Sequence, residues 1–318
     1  MESAILKSVN NWHHLGFMFH GFKSKGTGHG YVSLIALGLG AACFGSIPYF
    51  AKVGFAAGIS PGAAVLLRYI LPAVLLAPYL LQALKSGPSS WQYVLFGMIM
   101  GLGAWSYFYA LSELPVYLAA SLFFSYPALL VILRAIGGAK LRSSDWLTLG
   151  LVICALLIII ALTPLPEVDL TAVAIGLIGP LSYGGLQLVS RKTPSYLPSL
   201  AIAACIFAGA LAMAVPFALI ELKYWQGTGT APVMMPILGL ALIAGLLPQF
   251  LLAYGSSDQS GRKTAYTTGF IEFSLAILTG YLVFAEPLGI GQALGFAFLL
   301  GALYLSHEPS RLPRYLQD

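Results

Sequence analysis

Apolar runs of about 20 residues, separated by short clusters of proline, glycine and charge, follow one another from residue 31 to residue 306. As a helix rising about 1.5 Å per residue, such a run crosses a hydrocarbon layer about 30 Å thick. The segmentation predicts helices near 31–53, 62–83, 91–111, 115–136, 144–163, 170–190, 197–220, 233–255, 264–285 and 288–306. The loops between them, such as Lys85-Ser86-Gly87-Pro88 and Thr163-Pro164-Leu165-Pro166-Glu167, are too short to hold a soluble domain. The pattern predicts an all-α polytopic membrane protein of about ten transmembrane helices. Ahead of the first run, residues 1–30 mix Ile5, Leu6, Val9, Trp12, Leu15 and Phe19 with Lys7 and His13. They read as a tail, either a surface-lying amphipathic helix or disordered. Their short apolar stretch, Leu15 to Phe22, does not have a signal-peptide layout.

Composition sharpens this picture. Of 318 residues, 58% are hydrophobic and 8% are charged, against about 25% charged in a soluble domain. The mean hydropathy is +0.86, and a water-soluble globule is excluded. A net charge of +5 would suggest nucleic-acid binding in a soluble domain. Here the basic residues sort by membrane side instead. Lys85, Arg134, Lys140, Arg142, Arg191, Lys192, Arg262, Lys263 and the basic residues of both tails fall on one side, while Lys52 and Lys223 fall on the other. Positive residues stay cytoplasmic, so both termini are expected in the cytoplasm, in an inner (cytoplasmic) membrane, with no nucleic-acid partner. Cys43, Cys154 and Cys205 lie in apolar runs without CxxC spacing, and all five histidines lie in the tails. No metal site, disulfide framework or cofactor is expected.

The chain also repeats itself weakly. Ala120-Ser121-Leu122-Phe123-Phe124-Ser125-Tyr126-Pro127 aligns with Ala265-Tyr266-Thr267-Thr268-Gly269-Phe270-Ile271-Glu272, and Gly150 and Gly295 keep the same spacing. Phe44-Gly45 with Lys52 similarly matches Tyr183-Gly184 with Arg191. Ten helices then divide into repeat 1 over 31–165 and repeat 2 over 166–306, flanked by tails 1–30 and 307–318. Five is odd, so the second repeat enters the membrane inverted relative to the first. Inverted repeats place a site near the midplane at their interface.

Short motifs in a fixed order carry a resemblance. In the first half they are Pro61 followed by Leu67-Arg68, then Leu114-Pro115-Val116, Ala119-Ala120-Ser121-Leu122 and Tyr126-Pro127. In the second half they are Phe270-Ile271-Glu272, Phe284-Ala285-Glu286-Pro287-Leu288, Gly291-Gln292 and Gly295. In these the chain resembles the EamA-like branch of the drug/metabolite transporter superfamily over roughly residues 31–306. The resemblance implies a ten-helix transporter with no catalytic residues. One departure is Lys140-Leu141, where the family often carries an acid after the fourth helix.

Two ionisable residues sit well inside predicted helices, and intramembrane charges usually mark a pathway or a partner. Glu272 is roughly 12 Å past the boundary at Thr264, near the midplane. It is a candidate for substrate binding and for coupling, or else a structural hydrogen-bonding carboxylate. Arg68 is roughly 9 Å past Gly62. It lines the cavity or snorkels to the headgroups. The difference in depth favours a bridging water or ligand over a direct Arg68–Glu272 ion pair. Trp105 and Tyr109 share a helix face with Gly97 and Gly101, and Tyr183 and Gln187 form a similar pair. Tyr126 before Pro127 and Gln249 after Pro248 add polar groups where proline frees carbonyls. Helix packing is the alternative for the aromatic and glycine stripes. Lys52 lines an exit or is an interfacial lysine.

These residues suggest a secondary transporter, an exporter of small metabolites such as amino acids or of amphipathic drugs, working by alternating access and proton-linked or facilitative. The alternatives are a passive channel or facilitator for a small solute, and an intramembrane enzyme, which the lack of clustered catalytic groups disfavours. The expected partners are a small-molecule substrate and membrane lipid, with the protein a monomer or homodimer.

Overall fold

The computed structural model describes residues 30–85, 87, 89–138, 140–163, 168–190, 197–222, 234–256 and 261–306. The tail helix expected before Gly30, the C-terminal tail, Arg191, Lys192 and Lys223 lie outside the described residues, as do the side chains of Gln187, Arg262 and Lys263.

Among the described residues the chain is all helix. Its elements are α1 (Gly30–Gly45), α2 (Ile47–Ala56), α3 (Pro61–Leu75), α4 (Ala77–Lys85), α5 (Ser89–Glu113), α6 (Val116–Phe123), α7 (Tyr126–Ile136), α8 (Ser143–Leu162), α9 (Leu170–Gly176), α10 (Ile178–Ser190), α11 (Ser199–Leu222), α12 (Met234–Leu238), a π-helical segment (Gly239–Leu246), α13 (Leu247–Ser256), α14 (Gly261–Val283) and α15 (Ile290–Ser306). Six stretches are long and apolar enough to cross a membrane: 31–56, 90–113, 116–136, 143–162, 200–221 and 234–252. Counting α3 and α4, bent by 70°, as one broken span makes seven. Leu170–Leu186, Thr267–Val283 and Ile290–Ser306 are shorter apolar helices. Each of the ten stretches read from the hydrophobic pattern is thus occupied by helix, and several of them are interrupted.

The interruptions have local causes. Pro48 follows the break at Ser46, whose hydroxyl donates to Cys43 O at 2.6 Å. Pro127 follows the break at Phe124 and Ser125, and Ser125 Oγ likewise donates to Leu122 O at 2.6 Å. In both places a proline removes a backbone donor and a serine hydroxyl satisfies a carbonyl of the preceding turn. The π-helical segment ends just ahead of Pro248.

Small residues set the helix spacing. A Cβ on Gly97 or Gly101 of α5 would run into the backbone of Ile206 or Ala210 on α11, and one on Gly209 would meet Val94 O. The two helices therefore touch backbone to backbone along one stripe, as membrane helices do without a hydrophobic drive between them. Gly291 and Gly295 of α15 make room instead for the side chains of Leu162 and Ile159 of α8. Outward-facing positions are apolar, with Trp146, Leu147, Ile153 and Leu157 of α8 each more than half exposed. Such a surface suits lipid rather than water. Cys154 is exposed on this helix, Cys205 is buried, and all three cysteines are free thiols.

Helix ends gather on two faces. On the face away from Gly30 and Ser306, called the far face below, Lys52 Nζ donates to Leu114 O at 2.9 Å and Gln292 Nε2 to Leu162 O at 3.3 Å. Near the other end of the bundle, Arg134 and Asp145 form an ion pair at 3.0 Å. Between the two faces lies the cavity.

Candidate substrate cavity

A cavity of about 170 Å³ lies mid-bundle. The helix breaks border it: Phe44 and Ile47 flank the first, and Phe123, Phe124 and Tyr126 flank the second. Gly179, Ser182, Tyr183 and Leu186 come from α10, Gln249 and Leu252 from α13 after the π-helical segment, and Thr268, Gly269 and Glu272 from the middle of α14. From α3 come Arg68 and Tyr69, and from α5 Met100, Gly103, Ala104 and Tyr107. Irregular backbone at membrane depth is tolerated where it lines such a space.

Glu272 and Arg68 share this cavity. The Arg68 guanidinium lies over the rings of Phe44 and Tyr69, 5.4 Å from each centroid. That is a cation–π clamp that points it inward rather than toward the headgroups. Its buried Nε has no hydrogen-bond partner among the described residues. Gly245 of the π-helical segment packs so closely on Arg68 O that a Cβ there would collide with it. Among the described residues the ion pair is Arg134–Asp145, so Arg68 and Glu272 do not pair directly. The charged neighbour of Glu272 is Arg68, with the hydroxyls of Tyr107 and Tyr126 also in its field. Tyr126 and Tyr183 meet edge to face with centroids 4.9 Å apart. The surroundings are thus one acid, one guanidinium with a spare donor, several hydroxyls and an apolar wall, the composition of a small-molecule site.

Of the residues expected at the site, Glu272, Arg68, Tyr126, Tyr183 and Gln249 come together here. Gln187 lies outside the described side chains. Trp105 and Tyr109, expected in the same site, stand outside the wall of this cavity. Trp105 stacks on Phe217 at 4.0 Å and donates Nε1 to Glu221 Oε1 at 2.9 Å, and Tyr109 sits 5.6 Å from the Trp105 ring. The reason is helical phase. The stripe Gly97, Gly101, Trp105, Tyr109 faces α11, and two residues further on a helix turns about 200°. The cavity face of α5 therefore carries Gly103 and Tyr107. Tyr107, Ser182 and Thr268 were missed by the sequence reading. Thr268 stands four residues before Glu272, and that spacing is the signal that finds it. Lys52 is engaged with Leu114 O rather than lining the cavity.

Comparison with known proteins adds to this geometry. The model of the EamA-like transporter family matches residues 32–161. A solved structure described as "Crystal structure of protein" superposes with a TM-score of 0.53 at 12% identity, covering 86% of this chain and 96% of that one. At that identity the likeness concerns the fold, which extends into the second half. No curated protein matches the chain. Over residues 32–161 the chain thus resembles the EamA-like transporter family, a branch of the drug/metabolite transporter superfamily, and this match together with its long apolar helices makes it a multi-pass membrane protein.

Proposed function

We propose that the chain is a secondary transporter, an exporter of small amphipathic metabolites such as amino acids, which alternates access around the cavity that holds Glu272 and Arg68. The observation that carries this reading is the unpaired Nε of Arg68, buried in the same cavity as a carboxylate that it does not pair with. A zwitterion satisfies both groups at once: its carboxylate takes the guanidinium and its amino group takes Glu272. Tyr126, Tyr183 and the aromatic wall hold its apolar part. In this reading Glu272 is also the coupling residue, exchanging a proton for the substrate amine, and Gln249 orients the ligand. The six spans, the broken pair and the three shorter helices are ten crossings in two inverted five-helix repeats. Phe44 and Tyr183, equivalent positions in the weak repeat, both line the cavity, which supports that arrangement. The test is uptake of labelled amino acids into proteoliposomes under an imposed pH gradient. The reading expects saturable flux that responds to the gradient. Linear, non-saturating flux would instead identify a channel or facilitator.

A further inference from the structure

Two glutamates on the far face, neither of them in the cavity, tie together elements that frame it. Glu286 follows Ala285, whose φ of 52° is left-handed. In this turn Glu286 N donates to Gly280 O at 3.0 Å, closing α14. The carboxylate then reaches the first turn of α6, where Oε1 accepts from Val116 N at 2.6 Å and Oε2 from Tyr117 N at 3.0 Å. Pro115, at the N-cap, offers no side-chain oxygen of its own. Glu221, at the end of α11, does the same for α3. Its Oε2 accepts from Gly62 N at 2.6 Å and its Oε1 from Trp105 Nε1 at 2.9 Å. In both cases a carboxylate from the second half of the chain closes the start of a first-half helix. Beside them Lys52 Nζ holds Leu114 O, two residues before the helix that Glu286 caps.

Each of these is a charge-assisted hydrogen bond, stronger than a neutral one. Two lie at helix N-termini, where the backbone dipole favours an anion. The helices they join carry Arg68 (α3), Phe123 (α6) and Glu272 (α14) into the cavity. Location separates a latch from a permanent staple. Deep in hydrocarbon, releasing a backbone N–H would be prohibitive. At the aqueous end of the helices both released groups are taken up by water, so the net cost is small enough to be reversible.

We propose that Glu221 and Glu286 are the latches of the far-face gate, and that opening the cavity toward that face requires both carboxylates to leave the starts of α3 and α6. This rests on the alternating-access reading above. The test uses a reporter thiol, Ser182→Cys, in a background with Cys43, Cys154 and Cys205 changed to alanine. A membrane-impermeant maleimide is applied from each side, with Thr171→Cys and Ser143→Cys as controls for sidedness. Glu286→Gln and Glu221→Gln keep side-chain size but weaken acceptance of two donors. Each is expected to speed far-face labelling of the reporter by about tenfold. Gly280→Ala, whose Cβ would meet Glu286 Oε2 at 2.5 Å, disturbs the same latch with the charge retained and is expected to act in the same direction. It alone decides if the glutamine variants fail to fold. Unchanged labelling in every folded variant, with parental transport intact, would overturn the latches and leave the transport reading standing. A reporter never labelled from the far face, together with no flux in the protein that keeps Ser182, would overturn that reading and the proposal with it.

Discussion

At mid-bundle the cavity is walled by a few polar side chains, each held by defined neighbours. The planar Arg68 guanidinium lies over the rings of Phe44 and Tyr69, an arrangement that a lysine ammonium does not reproduce. Arg68→Lys is therefore expected to raise the KM for substrate about tenfold while the protein still folds, as read by proteoliposome flux and thermal unfolding. A parental KM would remove Arg68 from recognition. Tyr107 and Tyr109 form a matched pair on one helix, the first lining the cavity and the second beside Trp105. Tyr107→Phe is expected to slow flux and Tyr109→Phe to leave it unchanged, and the reverse order would place the cavity on the wrong face of α5. Both Arg68 and Glu272 were legible in the sequence because a charge stands out in an apolar run. Tyr107 was not, because nothing local distinguishes it from Tyr109, and the side facing the cavity is decided by where α11 packs.

Among elements, the breaks were more legible than the packing. Proline marks two of them directly, at Pro48 and Pro127, and both border the cavity. The π-helical segment Gly239–Leu246 carried no comparable mark beyond the Pro248 that follows, and its close contacts, Gly239 on Phe50 and Gly245 on Arg68 O, are with residues far away in sequence. The glycine stripe of α5 was visible at its spacing of four, but its partner was not. Gly97, Gly101 and Gly209 bring α5 and α11 into backbone contact, so a larger side chain has nowhere to go. Gly209→Val is expected to destabilise the protein by at least about 1–3 kcal/mol, seen as a lower midpoint of thermal unfolding or loss of monodisperse protein. Unaltered stability would mean that the two helices do not pack as described. The motif glutamate Glu286 was visible as part of a pattern, while its bond to Val116 and Tyr117 connects positions 170 and 169 residues apart, a relation local sequence does not encode.

For the whole molecule, the membrane class was plain from hydropathy because the bilayer demands long apolar helices, whereas the number of crossings was not. Interruptions and bends leave six to seven stretches that meet a strict length criterion. The charge asymmetry leads to one expectation about sidedness: a thiol at Ser143 should react from the cytoplasm and one at Thr171 from the opposite side. Reaction of both from one side would overturn the topology. Glu272, at the midpoint of α14 and lining the same cavity as Arg68, is the residue proposed to couple the cavity's two openings to proton and substrate. The most direct measurement compares parent and Glu272→Gln in proteoliposomes across a range of imposed pH gradients, with thermal unfolding as the check on folding. The variant is expected to fold as the parent does and to lose gradient-driven substrate flux. A folded Glu272→Gln that transported at the parental rate across that range would contradict both its coupling role and its recognition of the substrate amine.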